Sequence, residues 1–181
     1  MKSIFAAILL ATAIVASGRV SQEAMPMPQP PKELKALSFL KGEWDVDLKM
    51  YEPGKKTPTP TKGSVTAADS LDGMYIESRF EADMGGMPFK GLQMTTYDPI
   101  KKKFQAYWFD SMGPGGLEFL GSLKGQTLVL TSKAVEMPGM PGKHALRSTN
   151  SLKGPGKMFM RVEMNSGKGW STMIEGMMTK K

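Results

Sequence analysis

The chain has 181 residues, 24 basic against 17 acidic, a formal net charge of +7, no cysteine and a single histidine. The lack of cysteine excludes disulfides, zinc–thiolate sites and thiol nucleophiles, and one histidine excludes metal sites built on a histidine pair. The basic residues are scattered rather than clustered, so we expect no nucleic-acid partner despite the positive charge.

The first residues have the pattern of an export signal. A short basic start precedes the uncharged apolar run Ile4–Val15, and Ala16–Gly18 supplies the small residues of a cleavage site. The run is too short for a membrane-spanning helix. We therefore expect residues 1–18 to be a signal peptide and the mature protein to be periplasmic or secreted, without a stable membrane anchor. The alternative is an uncleaved anchor.

A linker and a helix are predicted next. Residues 19–31 contain MPMPQPP, in which each proline removes a backbone donor, so we interpret them as a linker. Pro31–Leu40 is predicted to be a helix with one leucine stripe, ended by Gly42. Because such a short helix is marginal alone, we expect it to pack as a lid on a sheet or barrel.

From Gly42 onwards, apolar and polar residues alternate in short segments that are typical of antiparallel strands. Between the fourth and fifth of them, Asp98-Pro99 predicts a type I turn. Residues 53–62 and 137–142 are predicted loops. The strands are predicted over residues 42–51, 63–71, 74–83, 89–97, 103–110, 117–123, 127–133, 144–152, 157–164 and 171–179. Nine or ten strands joined by short turns favour one all-β domain over residues 32–181, an up-and-down antiparallel lipocalin-like β-barrel.

Three segments resemble known families. Leu37–Trp44 (LSFLKGEW) is similar to the short helix and Gly-x-Trp opening of lipocalin-like (calycin) barrels. Residues 85–112 (GGMPFKGLQMTTYDPIKKKFQAYWFDSM) resemble the central motif of a bacterial exported family, domain of unknown function 1579, and the final IEGMMTKK resembles its last strand. The resemblance implies a barrel related to fatty-acid-binding and nitrobindin-type domains, but no activity, since the family has none assigned.

A barrel of this size is able to enclose one small apolar ligand. The candidate ligand-binding residues would supply an aromatic wall, a cation for an anionic head group, or a polar anchor at the mouth. They are Tyr75, Arg79, Tyr107, Trp108, Asp110, Arg147 and Arg161. The alternative is that the aromatics are ordinary core, that the arginines are exposed or paired with Glu77, Glu81 or Glu163, and that Asp110 caps a turn.

Methionine is unusually frequent, at 17 of 181 residues. The strand methionines are interpreted as flexible core residues. The loop pairs Met25 with Met27 and Met137 with Met140 have another interpretation, because thioethers are soft ligands that bind Cu(I). A copper(I)-binding periplasmic protein with Met137 and Met140 as ligands is therefore an alternative function.

The chain carries no clear sign of an enzyme, because no carboxylate pair has a spacing typical of acid–base catalysis. In nitrobindin-type barrels a histidine near the C-terminal end ligates haem, whereas the last two predicted strands here contain none. We therefore expect no cofactor and interpret His144 as a polar residue opening a strand. The leading interpretation is a non-enzymatic exported barrel that binds a small hydrophobic or amphipathic molecule. An isomerase or hydrolase on the same barrel is a further alternative.

Overall fold

The computed structural model describes residues 27–52, 55–137 and 139–181. The predicted signal peptide and the first part of the predicted linker, including Met25, lie outside these residues. From Met27 to Pro31 the chain forms neither helix nor strand, as expected for a segment in which prolines remove backbone donors.

Eleven strands are present in the described residues, and ten of them form a closed ring. The strands are β1 Gly42–Met50, β2 Thr59–Ser70, β3 Tyr75–Asp83, β4 Pro88–Asp98, β5 Lys103–Asp110, β6 Leu117–Lys124, β7 Thr127–Ser132, β8 Val135–Met137, β9 Met140–Gly154, β10 Lys157–Asn165 and β11 Trp170–Lys180. Each ring strand is antiparallel to its neighbours, β7 pairs with β9, and β1 pairs with β11 to complete the barrel. Strand β8 pairs with β9 alone. The predicted all-β up-and-down barrel is confirmed.

The predicted helix spans Lys32–Leu40 and is a 3₁₀ helix. Its buried residues, Leu34, Leu37 and Leu40, follow one another at intervals of three, and a helix with three residues per turn places such residues along a single edge. This leucine edge faces the barrel interior. The indole N–H of Trp44 donates to the carbonyl of Leu40 at 3.0 Å and fixes the helix to β1.

The two ends of the barrel differ. At the closed end, the helix lies beside the turn after β2, where Lys41 pairs with Asp69 at 2.6 Å. The turns after β4, β6 and β9 lie at this end as well, because successive strands run in opposite directions. The open end carries the loops after β1, β3, β5, β7 and β10. The largest fully buried side chains include Leu37, Trp44, Ile76 and Leu128, and they fill the closed half.

The predicted turn at Asp98 is present. Its Oδ1 accepts hydrogen bonds from the backbone N–H groups of Ile100 and Lys101, both at 2.9 Å. The bond from the Lys101 N–H lowers the pKa of the Asp98 carboxyl below its ordinary value. The carboxylate thus satisfies two turn donors that would otherwise lack a protein partner.

The predicted loops 53–62 and 137–142 are partly strand. They were predicted as loops because both contain prolines. Strand β2 already begins at Thr59 and includes Pro60, while β9 begins at Met140 and includes Pro141. In these stretches each strand has a partner on one side only, since β3 joins β2 from Gly63 onwards and β10 joins β9 from Ala145 onwards. Proline is tolerated there because its missing N–H faces no neighbouring strand.

Candidate ligand-binding cavity

The open half of the barrel contains a cavity of about 500 Å³, a volume typical of small-molecule sites. Its floor is the packed core of the closed half. The wall is mostly apolar and comes from the end of the helix, from nine of the ring strands and from the loops at the open end. The lining residues are Leu40, Met50, Tyr51, Glu52, Val65, Ser78, Phe80, Met84, Met87, Pro88, Phe89, Gln93, Trp108, Met112, Phe119, Met140, Leu146, Ser148, Asn150, Met158, Met160, Val162, Met173, Ile174 and Met178.

Methionine is the commonest residue in this wall. Met158 and Met178 are register partners on β10 and β11 and are almost fully buried. Around the mouth, Met87 and Met112 lie in the loops after β3 and β5, and Met140 begins β9; they are 58%, 64% and 40% exposed. Because the methionine side chain is unbranched and flexible, this rim is able to adapt to ligands of different shape.

Trp108 is held rigidly in the cavity wall. Its indole N–H donates to Oδ2 of Asp110 at 2.7 Å, and its ring stacks on Phe89 with 6.3 Å between centroids. The ring lies directly over Gly91, where any added Cβ would overlap it. The Phe89 ring, the close backbone of Gly91 and one hydrogen bond therefore set the orientation of the indole, which presents a large apolar surface to the cavity.

Four polar side chains lie deeper in the cavity, on two opposite walls. Ser78 on β3 is in register with Gln93 on β4, while Ser148 and Asn150 both lie on β9. The amide of Gln93 donates to Oγ1 of Thr95 at 2.9 Å, and that of Asn150 donates to Oγ of Ser148 at 3.4 Å. These residues were not among the predicted binding residues. The signal that would have identified them is strand alternation, because a period of two places Gln93 on the same face as Phe89.

Of the seven residues predicted to bind a ligand, Trp108 is the one that lines this cavity. Asp110 lies on the same face, and its carboxylate accepts hydrogen bonds from Trp108 and from the backbone N–H of Met112 at 2.9 Å. It therefore also closes the turn after β5, as in the alternative interpretation. Asp110 and Arg79 border a shallower depression of about 400 Å³ between β3, β4 and β5.

The other predicted residues are placed on the outer face of the barrel. Tyr75 precedes the fully buried Ile76, so strand alternation directs it outwards. The hydroxyl of Tyr107 accepts a hydrogen bond from Gln105 at 2.8 Å. Arg79 forms an ion pair with Glu77 at 2.6 Å. The structure thus does not bring these side chains together with Trp108.

Arg147 and Arg161 take part in ion pairs that brace the open half from outside. Arg147 contacts both carboxylate oxygens of Glu163, at 2.7 and 2.8 Å, and lies 4.3 Å from the centroid of the Trp170 ring. This guanidinium lowers the pKa of the Glu163 carboxyl. Arg161 pairs with Glu175 at 2.7 Å.

The Tyr51 hydroxyl donates to the same Glu175 carboxylate at 3.0 Å, and this bond raises the pKa of the phenol. The arginines are therefore engaged by carboxylates outside the barrel. Pairing of an arginine with Glu77 and with Glu163 agrees with the alternative interpretation of these residues.

His144 is buried and uses both ring nitrogens in hydrogen bonds. Nε2 lies 3.0 Å from the carbonyl oxygen of Pro141 and Nδ1 lies 2.9 Å from the hydroxyl of Ser166. Because a carbonyl only accepts, Nε2 must carry a proton. The imidazole holds the loop after β10 against the start of β9. Among the described residues, no group of three or more histidine, aspartate or glutamate side chains is placed to hold a metal ion.

Met137 and Met140, the predicted copper ligands, lie opposite each other in the register of β8 and β9. Met140 also lines the mouth of the cavity. In the part of the chain that the structure describes, no helix is long and apolar enough to cross a bilayer.

Comparison with known protein families assigns the chain to one of them. Residues 29–180 match the model of a family described as protein of unknown function (DUF1579). The chain belongs to the DUF1579 family. The match spans the helix and nearly the whole of the barrel, so the cavity of this DUF1579 protein lies entirely within the family domain. No curated protein matches the chain in a sequence comparison.

Proposed function

We propose that this DUF1579 protein binds a small hydrophobic or amphipathic molecule inside its barrel. The observation that carries the proposal is the cavity of about 500 Å³, open at one end and lined mainly by methionine and aromatic side chains. A ligand that enters it removes apolar surface from water and gains dispersion contacts with the wall. Trp108 supplies a rigid surface and the methionine rim an adaptable one, a combination suited to recognition by shape.

Binding of the uncharged fluorophore Nile red, followed by its emission and by quenching of tryptophan fluorescence, tests the proposal. Val162→Phe places a phenyl ring in the cavity, since Val162 lines it. Val129→Phe is the matched control, because Val129 alternates with the inward-facing Leu128 and Leu130 and so points outwards. We expect the inward substitution to raise Kd by on the order of tenfold or more and the outward one to leave it unchanged. Equal binding of Nile red by the wild-type protein and by both variants would contradict the proposal.

A second test uses the protein as purified. The mass of the native mature protein is compared with its mass after denaturation. A difference lost on denaturation is the mass of a bound molecule, and it distinguishes a lipid-like compound from copper or haem. The same spectrum tests the export that we propose from the N-terminal pattern, because signal cleavage after Gly18 predicts a chain that begins at Arg19.

Copper(I) binding is a second candidate, favoured by one observation. Met137 and Met140 are register partners at the mouth, and thioethers are ligands that Cu(I) accepts. Competition of the protein with a chromogenic Cu(I) chelator would measure uptake. We expect the double substitution of Met137 and Met140 by leucine to abolish uptake. Met177→Leu, on the outward-facing side of β11, serves as control. Uptake that survives the double substitution would remove this candidate.

An enzymatic role is not proposed. Among the described residues, the cavity wall includes one carboxylate, Glu52, and no histidine or lysine. Glu52 lies at the mouth, where its carboxylate accepts hydrogen bonds from Lys55 at 2.7 Å and from Thr59 at 3.2 Å.

A further inference from the structure

The cavity wall combines polar side chains with a lack of cations. Deep in the cavity it carries two carboxamides and two hydroxyls, those of Gln93, Asn150, Ser78 and Ser148. No lysine, arginine or histidine lines the cavity in the described part of the chain. The only described carboxylate of the wall, Glu52, lies at the opposite end of the cavity, at its mouth.

The polar groups lie at the level where the packed core begins. Gln93 is two residues from the fully buried Thr95, and Asn150 is in register with the fully buried Leu128. In the ring of strands, β4 and β9 are separated by β5, β6 and β7. The two carboxamides therefore face the floor of the cavity from opposite walls.

These groups retain unused hydrogen-bonding capacity. Each carboxamide donates one hydrogen bond, from Gln93 to Thr95 and from Asn150 to Ser148. Within the described residues, neither Oε1 of Gln93 nor Oδ1 of Asn150 receives a hydrogen bond from the protein, and neither oxygen is sealed off within the protein. Each amide also has a second N–H. The two carboxamides thus provide both hydrogen-bond donors and hydrogen-bond acceptors to a ligand at the floor of the cavity.

We propose that the ligand is an uncharged molecule with an apolar body and a hydroxyl, amide or carbonyl group, and that this polar group enters first and binds at the carboxamide floor. The inference rests on the proposed function and gives it a ligand class. It excludes long-chain carboxylates as the preferred ligands, for a separate reason in each of the two orientations that such a molecule has.

With its head inside, a carboxylate would leave water without a cation to pair it, which is strongly unfavourable. With its tail inside, an alkyl chain would cover Gln93 and Asn150 and deprive their free amide groups of water without replacing the hydrogen bonds. Its head would then lie at the mouth, where Lys55 is already paired with the carboxylate of Glu52 at 2.7 Å. A neutral polar head avoids all of these costs.

Competition for bound Nile red between dodecanol and dodecanoate tests the inference. The two share one chain and differ in head group. At about pH 8, dodecanoate is almost fully ionised because a carboxyl group on an alkyl chain titrates several pH units lower, at about 4.3 for the Glu side chain. We expect dodecanol to displace the dye at a concentration on the order of tenfold lower than dodecanoate does. Equal displacement, or stronger displacement by dodecanoate, would overturn the inference.

Variants test whether the carboxamides of Gln93 and Asn150 cause the preference for dodecanol. Gln93→Met with Asn150→Leu keeps the side-chain size and removes both carboxamides. We expect Nile red to bind as before and the advantage of dodecanol to fall to about twofold or less. Gln126→Met, in the exposed turn at the closed end, should keep the full advantage. If circular dichroism shows the double variant to be unfolded, the single Gln93→Met is used, and we expect it to lose part of the advantage.

The outcomes separate the two proposals. Failure of Nile red to bind the wild-type protein overturns the proposed function and this inference with it. Binding of Nile red without any preference for dodecanol, or with a preference that the carboxamide variants leave intact, overturns the inference alone.

Discussion

The closed and open halves of this barrel are built from the same strands but are stabilised in different ways. In the closed half, the leucine edge of the helix belongs to one buried cluster with Trp44, Ile76 and Leu128, each of which is at most 1% exposed. In the open half, the same strands surround a cavity of about 500 Å³. Burial of apolar surface therefore stabilises the first half more than the second.

The open half is instead braced from outside. Arg147 with Glu163 and Arg161 with Glu175 link the outer faces of β9, β10 and β11, and Tyr51 joins the second pair. Such exposed or half-exposed ion pairs contribute modestly to stability, but they occupy no space inside the barrel. The barrel thus keeps a cavity at one end because a packed apolar core stabilises the other end and ion pairs on the outer wall link the strands around the cavity.

The largest expected effect comes from truncating one large side chain in each half. Leu37→Ala removes a fully buried side chain at the closed end and is expected to lower the free energy of unfolding by about 2–5 kcal/mol. Met112→Ala at the mouth should change it by less than about 0.5 kcal/mol. Urea unfolding measures both. Similar decreases in the free energy of unfolding of the two variants would contradict the division into a packed closed half and a less tightly packed open half.

A smaller effect is expected from two buried threonines of the inner face. The hydroxyl of Thr95 accepts the hydrogen bond from Gln93, so Thr95→Val should destabilise by about 1 kcal/mol. The hydroxyl of Thr61 is buried without a hydrogen-bond partner in the described residues, so Thr61→Val should stabilise by about 1 kcal/mol. The same substitution thus acts with opposite sign at the two positions. Thermal and urea unfolding check the signs, and a loss of stability in both variants would contradict the assignment.

The smallest effect concerns the outer braces. The pKa of Glu163 is lowered below its ordinary value of 4.5 by the hydrogen bonds from Arg147. A carboxyl with a lowered folded-state pKa contributes stability above the unfolded value and loses it as the pH falls through the folded value. We therefore expect Glu163→Gln to cost about 0.5–1 kcal/mol at about pH 7 and progressively less as the pH falls below 4.5. The exposed Glu136→Gln is the control. A cost for Glu163→Gln that does not change with pH would indicate lost packing and contradict the electrostatic origin of the brace.

The strands of the barrel were predictable because each follows from local alternation. In β1, Trp44, Val46 and Leu48 are inward and the residues between them outward, as the period of two requires. The start of β2 was missed because Pro60 reads locally as a loop residue. Whether a proline is tolerated depends on the absence of a partner on its N–H side, which only the arrangement of β3 reveals.

The ligand-binding candidates separate in the same way. Trp108 lies on the inward face of its strand, whereas Arg147 and Arg161, the predicted cations for a ligand head group, lie outside against Glu163 and Glu175. A sequence pattern assigns each residue to one of two faces, without showing which face of every strand turns inwards once the ring closes.

Alternation, turn residues and the spacing of the leucines were therefore sufficient for the all-β fold, the strand order along the chain and the helix at one end, because these depend on interactions between residues close in sequence. The cavity, its methionine rim, the opposed carboxamides of Gln93 and Asn150 and the external braces arise from contacts between distant strands. Those contacts depend on the closure and register of the ring, and side-chain volumes then leave one half filled and the other hollow.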